Sequence, residues 1–222
     1  RTALLTSISI INKYDADKAE SIRATENLID KYEDKLGTYL VRLSNNELSE
    51  NDSHGIARLL HSIGDFERIG DHALNICKVA EEMHTKGITF SKDAISEIKT
   101  ITDAVVDILN MTVDSFIADD AERASHVEPL EQVIDKLQAE LRARHVSRLQ
   151  RGECTIELGF IFTDLLTNYE RVSDHCSNIA VYTMQLPSDK LDTHKYLHKL
   201  KSAPSGAFVD DYNMYEKKYL LD

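Results

Sequence analysis

Apolar residues recur at helical spacing along most of this chain. Ile22, Ile29, Leu36 and Leu43 fall at every seventh position, with Tyr39 and Leu40 filling the adjacent turn, which marks an amphipathic helix. Asn45-Asn46 and the Ser49 to Ser53 cluster interrupt that stripe and supply N-cap candidates for the next helix. Leu59, Leu60, Ile63, Phe66, Ala73, Leu74 and Cys77 then trace a second stripe that ends near Lys86-Gly87. Residues 91–118 carry Ile95, Ile98, Val105, Ile108 and Phe116 and predict another helix, followed by two more over 121–149 and 155–185. Beyond Pro187 the pattern predicts a short helix around His194–Leu200 and a break at Ser202 to Gly206. Phe208, Tyr212, Tyr215 and Tyr219 then recur at helical spacing, as on a docking face.

Self-comparison explains this order. Sliding the chain by 105 lays Asp15-Ala16-Asp17-Lys18-Ala19 on Asp120-Ala121-Glu122-Arg123-Ala124, and Glu26-x-x-Ile29-Asp30-Lys31 on Glu131-x-x-Ile134-Asp135-Lys136. A slide of 103 lays Glu67-Arg68-Ile69-Gly70-Asp71-His72 on Glu170-Arg171-Val172-Ser173-Asp174-His175 and continues through Asn75-Ile76 onto Asn178-Ile179. The chain is a tandem duplication of helical units. The expected organisation is all-α, with a first repeat over 1–88, a second over 89–186 and a C-terminal helical tail over 187–222. Residue 1 aligns with Val106, so the first repeat lacks the counterpart of 91–105, and its leading helix is expected to be truncated with the missing turns upstream in a longer parent.

Four copies of Glu-x-x-x-Asp occupy equivalent places in the repeats: Glu26/Asp30, Glu67/Asp71, Glu131/Asp135 and Glu170/Asp174. Chance alone supplies about six acid pairs at that spacing in a chain this acidic, so one pair carries no weight. The register carries it: two pairs per repeat, one on each of two long helices. Residues four apart are neighbours on a helix surface, and both members of each pair lie along one edge of the apolar stripe. Helices packed side by side would bring four carboxylates together, an unfavourable gathering without a counter-charge. Multivalent cations are the economical counter-charge, and an all-oxygen donor set suits iron, Mn, Mg or Ca, with Zn also admissible. Arg68 and Arg171 stand beside Asp71 and Asp174, and solvated acids paired with them are the plainer alternative. Asn75 and Asn178, one turn beyond each Asp, are candidate supporting hydrogen bonders. His72 and His175 also repeat, but they project away from the stripe and are not expected to be ligands.

Charge and composition narrow the partners. With 26 Lys+Arg against 38 Asp+Glu the net charge is −12 and there is no basic block, which argues against nucleic acid or an anionic membrane surface. Removing the eight paired acids leaves 30 against 26, so the excess resides largely in the candidate ligands. Three cysteines form neither a disulfide framework nor a zinc pattern, and Cys77 reads as a small buried hydrophobe in a reducing compartment. No apolar run is long enough to cross a membrane.

The doubled Glu-Arg-x-x-Asp-His-x-x-Asn-Ile motif and the upstream Glu-x-x-Ile-Asp segments resemble PhoU, the phosphate-uptake regulators. That resemblance, over residues 1–186, implies two tandem three-helix bundles whose acidic motifs bind multinuclear iron or other metal clusters. The stretch Tyr39-Leu40-Val41-Arg42-Leu43, the run Tyr169 to Tyr182, and the tail from His194 through Tyr219 resemble more narrowly the C-terminal region of bacterial Na+/phosphate cotransporters. This second likeness implies a membrane transporter portion on the same polypeptide and a position on the cytoplasmic side of the membrane. It also implies a regulatory role in phosphate transport, with phosphate met through bound metal and a homodimer as one assembly. No enzyme is expected: the single Glu81-x-x-His84 has no counterpart in the second repeat, and there is neither a recurring nucleophile with its base nor a Gly-rich phosphate loop. A carboxylate-bridged di-metal enzyme and a metal-free helical adaptor are the alternative readings.

Overall fold

A computed structural model describes residues 1–184 and 205–221, and among these all regular structure is helical. The order is α1 (Thr2–Ile10), α2 (Ala16–Ser44), α3 (Glu50–Lys86), α4 (Lys92–Ala118), α5 (Ala121–Ser125), α6 (Val127–Gln150), α7 (Ile156–Thr183) and α8 (Gly206–Lys218). Side-chain oxygens start most of them. Asp15, Ser49, Ser91, Asp120, Thr155 and Ser205 each accept the backbone N–H three residues on, at 3.0 to 3.2 Å. Gly87 ends α3 in the left-handed region at φ 64°, where glycine carries no Cβ penalty.

The helix expected over 121–149 is two helices. Pro129 stands three residues into α6, and its ring excludes the carbonyl of residue 125 from a continuing helix, so α5 stops at Ser125. The first repeat has Ala24 at the equivalent position, and α2 runs unbroken for 29 residues.

α1, α2 and α3 form one bundle and α4, α6 and α7 the other, and α3 packs along α7. That contact gives α3 and α7 two buried faces each. One apolar core therefore runs through both bundles, from Leu4, Ile69 and Ile76 to Ile101, Ile108, Ile134, Phe162 and Ile179. A smaller cluster of Ile10, Ala19, Ile22, Cys77 and Ala80 closes the end of the first bundle, and Cys77 is fully buried there as a free thiol.

The aromatic stripe of the tail finds its partner within the chain. α8 lies on α6, with Phe208, Tyr215 and Tyr219 buried, while Tyr219 Oη and Lys218 Nζ reach Asp107 Oδ2 at 2.5 and 2.6 Å. His126 meets Asp211 at 2.6 Å and Lys136 meets Glu216 at 2.5 Å along the same seam. The helix expected around 194–200 lies outside the described residues.

Candidate metal centre

The acidic pairs lie along the α2–α3 seam and, in the second bundle, along α6–α7. Each seam brings three of its four carboxylates together. One oxygen from each of Glu26, Asp30 and Asp71 lies within 4.8 Å of the others, and Glu131, Asp135 and Asp174 repeat that arrangement. Two oxygens on opposite sides of one hard cation stand about 4.8 Å apart, so both triads match a shared cation in size and in donor chemistry.

Gly70 helps to set the first seam. A Cβ built there would lie 3.1 Å from Ile29 Cδ1, so α3 approaches α2 closely at the level of Asp30 and Asp71. Ser173, which occupies the equivalent position on α7, is fully buried and turns its hydroxyl back to the Glu170 carbonyl at 2.7 Å.

Glu67 and Glu170 flank the triads rather than join them. Arg68 lies 3.6 Å from Glu67 and 3.8 Å from Asp71, and Arg171 lies 3.7 Å from Glu170 and 3.3 Å from Asp174. The two asparagines make different contacts. Asn75 Oδ1 accepts from Lys78 Nζ at 3.2 Å, while Asn178 Nδ2 donates to Asp65 Oδ1 at 3.2 Å, across the contact between the bundles.

Crowding of like charge shows in the acids themselves. Burial, then the neighbouring Asp30 and Asp71, raise the Glu26 carboxyl above its ordinary range. Burial and Asp71 raise Glu67. In the second seam burial, then Glu170 and Asp135, push Asp174 up to about 6. Glu131 is the most deeply placed ligand candidate, at 3% exposure.

His72 and His175 lie neither in the triads nor out in solvent. Their rings stack on each other at 5.6 Å between centroids where α3 meets α7. His72 Nδ1 pairs with Asn168 Oδ1 at 2.9 Å, and His175 Nδ1 pairs with Asp65 Oδ1 at 2.7 Å. Burial lowers the His72 pKa. The slide of 103 places Asp65 on Asn168, so the two contacts are repeat equivalents, with a carboxylate in one and an amide in the other. Seven residues separate Asp65 from His72 and Asn168 from His175, which puts each pair on one helix face. That repeated i,i+7 spacing was the signal in the sequence for a second buried face.

The PhoU domain family model matches residues 1–80 and 98–183, the two repeats. A phosphate-specific transport system accessory protein PhoU homolog 1 from Thermotoga maritima is 24% identical over 68% of this chain, and the chain spans 64% of that relative's length. A homolog of the same accessory protein from Pseudomonas putida is 24% identical over 92% of the chain and 80% of its own length. Among solved structures, PhoU from Pseudomonas aeruginosa superposes with a TM-score of 0.76 at 22% identity, covering 82% of this chain and 87% of its own. The phosphate transport system regulatory protein PhoU from Streptococcus pneumoniae gives 0.74 at 17% identity, with 85% and 88% covered. At these identities the two structures establish the fold. Among the described residues no helix is long and apolar enough to cross a membrane.

Proposed function

Because this chain belongs to the PhoU domain family, we propose that it is a metal-binding regulatory domain of phosphate transport and homeostasis. The observation that carries the metal is the duplicated triad, Glu26/Asp30/Asp71 and Glu131/Asp135/Asp174. Relatives named as accessory proteins of a phosphate-specific transport system support the transport role. In this reading the narrower resemblance supplies the partner: the membrane portion of a Na+/phosphate cotransporter on the same polypeptide, with this domain on the cytoplasmic side.

The chain's own residues divide the work. Glu26, Asp30 and Asp71 hold cations in one seam, and Glu131, Asp135 and Asp174 hold them in the other, with Glu67 and Glu170 at the rims. Arg68 and Arg171 orient the rim acids and leave one positive charge beside each cluster. Bound iron, or another multivalent cation, supplies positive charge to which phosphate is drawn; the bare carboxylates repel that anion. The role is regulatory rather than catalytic, and Glu26, Asp30 and Asp71 on α2–α3 and Glu131, Asp135 and Asp174 on α6–α7 would hold the cations.

Phosphate uptake by cells carrying the full-length parent protein tests this. Asp71→Ala combined with Asp174→Ala is expected to abolish the response of uptake to external phosphate while the protein remains folded and present. An unchanged response overturns the reading.

A further inference from the structure

Between α4 and α6 of the second bundle lies a polar cavity of about 580 Å³, with Arg144, Arg148 and Arg151 of α6 along one wall and Glu97 and Thr100 of α4 along the other. Leu221, just past α8, also lines it. The three arginines stand at i, i+4 and i+7, so they share one face of α6 and their guanidinium groups converge on that space. The duplication did not supply them: Tyr39, Leu43 and Asn46 hold the equivalent places on α2. In a chain of net charge −12, three cations gathered on a cavity wall call for an anion.

Glu97 is the carboxylate that two of these cations share. It is 8% exposed, accepts from Arg148 Nη1 at 2.9 Å and lies 3.5 Å from Arg144 Nη1. Arg148 Nη2 also stands 2.8 Å from Glu97 Oε2, but out of line for a hydrogen bond, and both atoms are shut off from solvent. The buried pair thus keeps donor and acceptor capacity that it does not spend on itself. Phe162 steadies the guanidinium, its ring centroid 5.8 Å from Arg148 Cζ. Arg151 is held differently. At the rim it gives Nε and Nη2 to Glu153 at 2.6 and 2.8 Å, in a pair whose two side chains are at least half exposed. Such a pair contributes little and yields readily to a competing anion. Thr100 and Ser147 add hydroxyls from opposite walls, each turned back to a carbonyl of its own helix at 3.3 and 3.1 Å.

We propose that this cavity binds inorganic phosphate directly, as hydrogen phosphate and without a metal. The choice of phosphate among anions rests on the regulatory reading above, whereas the site rests on the arginines. Guanidinium forks match phosphate oxygens two at a time, and Arg151 takes the anion as Glu153 turns out to solvent. Arg144 and Arg148 meet it from the wall, and the hydroxyls of Thr100 and Ser147 rotate towards it. Glu97 stays in place and supplies selectivity. A carboxylate only accepts, and hydrogen phosphate has an O–H to give it; sulfate has none and meets Glu97 as unrelieved repulsion. Phosphate monoesters, largely dianionic at neutral pH, are rejected for the same reason. Asp93, also in the wall, weakens the site rather than building it.

Titration calorimetry on the full chain, stripped with chelator and held at constant ionic strength, tests this apart from the metal reading. Inorganic phosphate is expected to fill a single saturable site, and sulfate at the same concentrations to give no heat of binding. Arg151→Ala, a change at an exposed rim position, is expected to weaken phosphate about tenfold or more through loss of a bidentate charge-assisted contact. Glu97→Gln, with helicity retained by circular dichroism, is expected to bring sulfate within about tenfold of phosphate. The proposal is overturned if the chelated chain binds no phosphate, or binds it only once metal is restored. It is also overturned if sulfate competes equally in the unaltered chain, or if Arg151→Ala binds phosphate undiminished. Metal found at the triads without this phosphate binding removes the cavity's role and leaves the metal reading standing.

Discussion

Asp174 shows what a metal-free seam costs. Its folded pKa of about 6 lies above the ordinary 3.8, so the folded chain holds this proton more tightly than the unfolded chain does. Stability from that preference is full below about pH 4 and is lost as pH rises through 6. In the presence of chelator, the melting temperature is expected to fall between pH 4 and pH 7, by the equivalent of about 1 kcal/mol once partial solvent exposure is allowed for. Asp174→Asn is expected to flatten the slope, and metal at pH 6 to release protons as it binds. That the carboxylates of α2 and α6 line a shared edge was legible in the sequence, because a pair in register marks a helix edge. The fate of Glu67, Glu170, Asn75 and Asn178 was not. Spacing gives the angle of a side chain about its helix, whereas the separation and tilt of the neighbouring helix decide which atoms meet.

Two glycines within helices predict opposite responses to the same change. At Gly37 of α2 an added methyl would meet nothing within 4 Å, so Gly37→Ala is expected to stabilise by about 0.5–1 kcal/mol through the unfolded chain. At Gly159 of α7 a Cβ would stand 2.7 Å from His145 Nε2, and His145 is buried and stacked on Phe162 at 4.9 Å. Gly159→Ala is expected to destabilise by about 1–3 kcal/mol despite its better helix propensity. Urea denaturation of both variants measures the contrast. Element boundaries were largely legible, since caps such as Ser49, Ser91 and Thr155 stand just before their helices. The break at His126 was missed because the aligned first repeat has no proline and periodicity continues across Pro129. The stack of His72 on His175 was missed for a different reason: α3 and α7 each bury two faces, and one stripe per helix describes only one of them.

At the scale of the molecule, a core shared by both bundles predicts one cooperative unfolding transition, with the calorimetric and van't Hoff enthalpies in agreement. Two separate transitions would show that the α3–α7 contact contributes little. The net charge of −12 resides mainly in the paired acids, so cation loading is expected to bring the chain much closer to neutrality. The most direct measurement is elemental analysis combined with anomalous scattering on the untagged full chain. The account predicts metal at two loci, one at Glu26/Asp30/Asp71 and one at Glu131/Asp135/Asp174, with Asp71→Ala emptying only the first and Asp174→Ala only the second. Substoichiometric metal, or metal bound elsewhere and indifferent to both substitutions, would contradict it.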